Sequence, residues 1–266
     1  MIYKIFTMKS IQLIILTFFS FQLSYSQTAE QLNKQSKELL GESKFEKAII
    51  FLRKAAELGN GEAQYNLGYS LQNGVGTEKN LTEAIYWYKK SSDNNFNDGH
   101  YAMMMAYGNG DGVEQNSELA FSYAIKCANN NDPTCMWNVV NCYITGNGVE
   151  KNEGEFKVWL IRLAKLNNPE NLAQSGNITS ARLELAKSYR EGNYFEQDVY
   201  QSYLWYIIYN ESKKDFSILL QQKSIEDIKA LEKELSKKQF ENGKLEAEKL
   251  LGRKLNNYSQ LYKTSL

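Results

Sequence analysis

The chain repeats itself at a fixed distance. Three segments, Ala63-Gln-Tyr-Asn-Leu-Gly-Tyr-Ser-Leu-Gln-Asn-Gly74, Gly99-His-Tyr-Ala-Met-Met-Met-Ala-Tyr-Gly-Asn-Gly110 and Cys135-Met-Trp-Asn-Val-Val-Asn-Cys-Tyr-Ile-Thr-Gly146, follow one another at 36 residues without gaps. The register continues through Gly76, Gly112 and Gly148, then Asn80, Asn116 and Asn152, then Ala84, Ala120 and Phe156, then Trp87, Tyr123 and Trp159. A period of this length marks a helical repeat array. One such unit cannot bury its own apolar side and depends on its neighbours. A further copy lies 118 residues on, where Ala181, Leu185, Tyr189, Gly192, Asp198 and Trp205 fall on Ala63, Leu67, Leu71, Gly74, Asn80 and Trp87. Three periods leave ten residues over, and 168–177 (NPENLAQSGN) has the composition of a loop inserted before this copy. A shorter copy stands upstream, with Ala29–Leu40 and Phe45–Leu58 as its two helices. The expected units are therefore about 28–59, 60–95, 96–131, 132–167 and 178–210.

Each copy follows the same physics. Ala63, Leu67 and Leu71 form a stripe at helical spacing. The Gly-x-Gly that follows supplies the left-handed conformation that ends a helix. Asn80, or Asp198 in the last copy, then offers an oxygen to the free N–H groups of a second helix. Small residues at Ala84 and Ser91 let that helix approach its partner, and a ring at Trp87 or Tyr88 fills the space between them. The expected fold is all-α. Residues 211–266 read as a C-terminal cap and tail, with charged helices carrying Leu219, Ile225, Ile228, Leu231 and Leu235 at helical spacing.

Lys+Arg and Asp+Glu both total 31, so no net positive charge points to nucleic acid. At the N-terminus Lys4 and Lys9 precede an apolar run, 11–23, and small residues at Ser24 and Ser26 flank Tyr25. That order is the pattern of a secretory signal. Residues 1–26 are expected to be cleaved, with Met1 or Met8 as the start. The apolar run is short for a spanning helix, so no stable membrane insertion is expected after cleavage, and the protein is expected in the periplasm or outside the cell.

The block Ala63–Ser91 closely resembles the Sel-one-like repeat, a branch of the tetratricopeptide superfamily. The shared features are the alanine, Leu67-Gly68, the Gly-x-Gly turn, the Asn cap, and an alanine and tryptophan three apart. The resemblance covers roughly 29–210 and is weakest in the last copy, where Gly192-Asn-Tyr departs from Gly-x-Gly. It implies a right-handed α-solenoid of antiparallel helix pairs whose curved surface binds a protein or peptide. Many bacterial members are exported. Neither a cofactor nor a metal is implied, and a monomer is expected. In related superhelices the first helix of each pair lines the concave face. Carried over, this places Tyr65, Tyr69, Tyr101, Met105, Trp137, Asn141, Leu183 and Lys187 on the partner-binding face. The other reading of Tyr65 is a ring packed against the neighbouring copy.

The C-x7-C spacing of Cys127 and Cys135 resembles that of a cysteine-rich bacterial subgroup, in which the pair is disulfide-bonded. The resemblance thus implies a bridge from the second helix of one copy to the first helix of the next. The alternative is two buried thiols at small positions. Cys142 reads as a buried core residue and the single histidine, His100, as a polar helix-face residue. The same subgroup has been associated with penicillin binding, so an envelope enzyme or a β-lactam or muropeptide binder is the alternative function. Against an enzyme, no Ser-x-x-Lys occurs, Ser92-Asp93-Asn94 reads as a polar turn between repeats, and Lys263-Thr264 is followed by Ser265. Gly108–Gly112 lacks the preceding strand and the Lys-Ser/Thr of a phosphate loop.

Overall fold

The computed structural model describes residues 28–264, and the expected signal segment lies outside them. Every regular element among the described residues is helical. A first helix, α1, covers 28–41. It is followed by α2 (Phe45–Glu57), α3 (Gly61–Asn73), α4 (Leu81–Asp93), α5 (Asn97–Asn109), α6 (Ser117–Asn129), α7 (Pro133–Thr145), α8 (Glu153–Ala164), α9 (Leu172–Glu191) and α10 (Val199–Tyr209). A 3-10 turn, Asn210–Asp215, then leads to α11 (Ile218–Glu232) and α12 (Lys237–Leu251). The described residues divide into two compact units, 28–126 and 127–264.

The turn inside each helix pair is built once and reused. Gly74 and Gly76 both take positive φ, 73° and 68°, as do Gly110 and Gly112, and Gly146 and Gly148. The Asn80 backbone N–H then donates to the Leu71 carbonyl at 2.8 Å, while its side-chain oxygen accepts from Glu83 N at 3.0 Å. Asn116, Asn152 and Asp198 make the same pair of bonds in their own turns. Gly76 is required twice over, because a Cβ there would stand 2.5 Å from the Phe45 carbonyl carbon. In the last pair Tyr194 occupies the Gly76 register, keeps the left-handed conformation at φ 61°, and packs its ring 4.8 Å from Phe156. The turns between pairs also share a register. Gly59, Asn95 and Asn131, 36 residues apart, all take positive φ. Glycine and asparagine are the residues that tolerate that conformation best.

In the first unit Leu52, Leu67, Leu71 and Met103 are fully buried. Each such side chain contributes about 1.5–3 kcal/mol through removal from water. Ser91 Oγ donates to the Gly61 carbonyl at 2.7 Å, and Gln64 Nε2 donates to the Ala56 carbonyl at 3.0 Å. The α2 C-terminus is thereby closed by the next helix.

In the second unit the core is Met136, Leu160, Leu163, Ile178, Leu185, Tyr203 and Trp205. Arg182, in the register of Gln64, is completely buried and does the equivalent work for α8. It donates to the carbonyls of Ala164 (2.9 Å) and Leu166 (2.8 Å) and to Asn168 Oδ1 (2.6 Å). Burial lowers its pKa to about 10, which leaves it charged at neutral pH. The tail is tied by Glu211, which accepts from both Arg253 Nη atoms at 2.8 and 2.7 Å and from Asn256 N at 2.7 Å.

The expected loop at 168–177 ends early, since α9 begins at Leu172. Asn171 caps it, accepting from Ala173 N and Gln174 N, and the cap outweighs the Ser-Gly composition that suggested a loop. In α11 the stripe that buries is Gln221, Ser224, Ile225, Ile228 and Leu231, while Leu219 is 74% exposed. Leu219 lies in the first turn, on the side of the helix away from that stripe.

Candidate functional site

The site forms because Gly68 has no side chain. A Cβ at Gly68 would meet the Tyr88 ring at 2.7 Å, so its absence lets that ring lie flat on α3. The Tyr88 hydroxyl donates to Gln72 Oε1 at 2.6 Å and is held there. Tyr65 places its ring 5.7 Å from Tyr88 and 6.1 Å from Phe96. The Tyr65 ring thus packs on the neighbouring copy and also lines a hollow. Tyr69, one turn further along α3, is half exposed, and Tyr101 and Met105 reach the same hollow from α5. Leu81 and Ile85 of α4 and Asp111 of the following turn complete a cavity of about 220 Å³. Burial, then Asp98, Tyr69 and Tyr101, push the Tyr65 phenol upward. Burial, then Tyr65 and Tyr69, do the same to Tyr88. The phenols stay protonated, so the cavity offers ring faces and O–H donors.

Four of the expected binding residues, Tyr65, Tyr69, Tyr101 and Met105, thus come together. Trp137 (half-buried), Asn141 and Lys187 (both exposed) belong to the second unit and do not line this cavity. Sequence reasoning missed the contribution of Tyr88, Leu81 and Ile85 from the second helix. The signal was present in Gly68, a glycine in mid-helix opposite an aromatic pair.

Cys127 and Cys135 are bonded, with their Cα atoms 5.7 Å apart, a separation typical of a disulfide. Asp132 lies close enough to form a three-ligand group with them. Its oxygens are already engaged, however, by Cys135 N at 2.9 Å and Gln174 Nε2 at 3.0 Å. Cys142 is half-buried, more open than the core residue expected there.

His100 is not on a polar face. It is 3% exposed, with Nδ1 2.7 Å from Ser92 Oγ and Nε2 3.0 Å from Asn95 Oδ1. Ser92 lies within α4 and not in a turn, because the helix runs through Asp93. A serine, a histidine and an amide in line invite comparison with a hydrolytic triad. Here both Ser92 and His100 are buried and line neither this cavity nor the one described next. Burial, then Lys126, lowers the imidazole pKa, so the ring is neutral, accepting from Ser92 and donating to Asn95. In this register it closes the end of α4, as Gln64 closes α2.

A second cavity, of about 480 Å³, lies in the second unit. Asn167, Asn168, Glu211, Ser212, Arg253 and Asn256 are among the residues that give it a polar wall.

The sequence model of the family described as Sel1 repeat matches residues 40–60, 61–96, 99–132, 135–168 and 179–208, together more than half of the chain. Among solved structures, the chain is similar to a Sel1 repeat protein from Oxalobacter formigenes, with 23% identity and a TM-score of 0.54, over 63% of this chain and 46% of that one. It is similar to c5321, a protective antigen of uropathogenic Escherichia coli displaying an SLR fold, with 23% identity and a TM-score of 0.41, over 82% of this chain and 51% of that one. A third is the immunity protein Pa5087 from Pseudomonas aeruginosa, with 18% identity and a TM-score of 0.40, over 87% of this chain and 86% of that one. The chain spans about half the length of the first two. No curated protein matches it. The Oxalobacter likeness agrees with a fold of stacked helix pairs, an α-solenoid.

Proposed function

Because the chain belongs to the Sel1 repeat family, whose members generally mediate protein–protein interaction, we propose that it is an exported, non-enzymatic scaffold that holds a protein or peptide on the first-helix face of its repeats. The observation that carries this reading is the tyrosine-walled cavity of the first unit, where two successive first helices present Tyr69, Tyr101 and Met105 to solvent. Stiff aromatic side chains cost little entropy on ordering and are common anchors at interfaces. Export is supported by the Cys127–Cys135 bond, since such bonds persist in oxidising compartments. No helix among the described residues is long and apolar enough to cross a membrane. A non-enzymatic role fits the only histidine, whose two ring nitrogens are both committed to the fold. The proposed protein works as a monomer and without a cofactor.

The test is a photo-crosslinking residue at Tyr69 in the native cell, followed by titration of the captured protein in purified form. Tyr69→Ala/Tyr101→Ala leaves helical content intact, because both side chains are exposed, and weakens binding at least tenfold. Unchanged affinity overturns the proposal.

The second reading, a binder of small envelope ligands such as a muropeptide or β-lactam, is favoured by the polar cavity beside Glu211 and Arg253. Calorimetric titration with a muropeptide separates the two readings, since the scaffold reading expects no heat of binding.

A further inference from the structure

We infer that the tyrosine cavity selects a cation, taking the lysine or arginine side chain of a peptide partner. This rests on the scaffold reading above and adds the chemistry of what is held.

Three observations carry it. The first is shape and surface. Rings from Tyr65, Tyr69, Tyr88 and Tyr101 meet at one hollow of about 220 Å³, smaller than the roughly 300–1,000 Å³ of a typical small-molecule pocket. It has room for one long side chain. Ring faces carry negative potential and attract an ammonium or guanidinium, and the apolar Leu81, Ile85 and Met105 suit the methylene stem of such a residue.

The second is charge. Asp111 lines the cavity, Asp98 acts on the Tyr65 hydroxyl, and no lysine or arginine is among the lining residues.

The third is how this chain treats rings elsewhere. Lys90 lies over the Tyr86 ring at 5.7 Å, Lys126 over Tyr123 at 4.7 Å, and Arg162 over Trp159 at 4.8 Å. In these three the cation comes from three or four residues along the same second helix, whereas Lys157 over Phe195, Lys229 over Tyr262 and Lys244 over Tyr258 reach across from another segment. On the first helices the corresponding positions after Tyr69 are Gln72 and Asn73, and after Tyr101 they are Met104 and Met105. The rings that face the cavity are thus of the kind the chain pairs with cations, at positions where its own helix supplies none.

The experiment uses the full chain with labelled tyrosine rings. N-acetyl-lysine methylamide, N-acetyl-arginine methylamide and N-acetyl-norleucine methylamide are titrated in turn and followed by NMR. The expected result is saturable shifts of the Tyr69 and Tyr101 rings with the first two probes and at least tenfold weaker binding of the neutral isostere. Asp111→Asn and raised ionic strength should each weaken the lysine probe severalfold. Norleucine binding as tightly as lysine overturns cation selection. So does an absence of ring shifts with every probe. Either result leaves the scaffold reading standing if Tyr69→Ala/Tyr101→Ala still weakens the crosslinked partner. An unchanged partner affinity in that variant overturns the scaffold reading itself.

Discussion

Gln64, His100 and Arg182 occupy one register and show how far a single position can vary while doing one job. Gln64 and Arg182 donate to the last carbonyls of the preceding hairpin, and His100 reaches the Ser92 hydroxyl instead. The environment decides the protonation state of His100. Its pKa is lowered by burial, so the neutral ring is the form that fits. An unfolded histidine titrates near 6.5, and below that value the unfolded chain holds a proton that the folded ring refuses. The His100 contribution is complete above about 6.5 and is lost as pH falls toward the lowered folded value, at up to about 1.4 kcal/mol per pH unit. Urea unfolding at a series of pH values from about 7.5 to 5 should show this loss. His100→Gln, which carries the residue found at position 64, should show a smaller one. An identical pH dependence in the variant refutes the assignment. The sequence alone gave no warning of this burial, because a lone histidine on a helix reads as polar. The bonds of Gln64 and Arg182 at the matching positions are what explain it.

The helix pair is the level most legible from sequence. The Gly-x-Gly turns stand in register over three copies, and the Asn or Asp caps stand in register over four and form the same bonds in each. Two glycines in one turn nevertheless differ in what they do. The nearest atom to a Cβ on Gly74 would be 3.6 Å away, while Gly76 faces the Phe45 backbone at 2.5 Å. Gly74→Ala therefore pays only for the left-handed backbone, about 1 kcal/mol. Gly76→Ala must also displace the start of α2, and should lose more than about 2 kcal/mol in urea unfolding. Equal losses would show that the close approach carries no energy. Less legible was the segment after Pro169. Composition there favours a loop, yet one asparagine cap starts α9 five or six residues sooner than composition suggests. The candidate cavity was half legible. Tyr65, Tyr69, Tyr101 and Met105 follow from the period, but Tyr88, Leu81 and Ile85 arrive from the partner helix. A period counted along the chain does not report contacts across a pair.

At the scale of the whole chain, one covalent bond adds to a core made of many small contacts. The Cys127–Cys135 bridge closes a short loop from the end of α6 into the start of α7. A loop of this size stabilises by about 2.5 kcal/mol on the chain-entropy view. Alkylation of unfolded, unreduced protein should label one thiol, Cys142, and reduction should raise the count to three and lower the melting temperature. Two extra thiols labelled before reduction would remove the bond. The joints between successive hairpins are not fastened alike. Arg182 keeps its charge in acid and Gln64 has no proton to gain, whereas protonation of His100 works against the fold because burial disfavours the charged ring. Acidification therefore meets a tear line already drawn, running between α4 and α5, while the joint between α2 and α3 and that between α8 and α9 stay sewn.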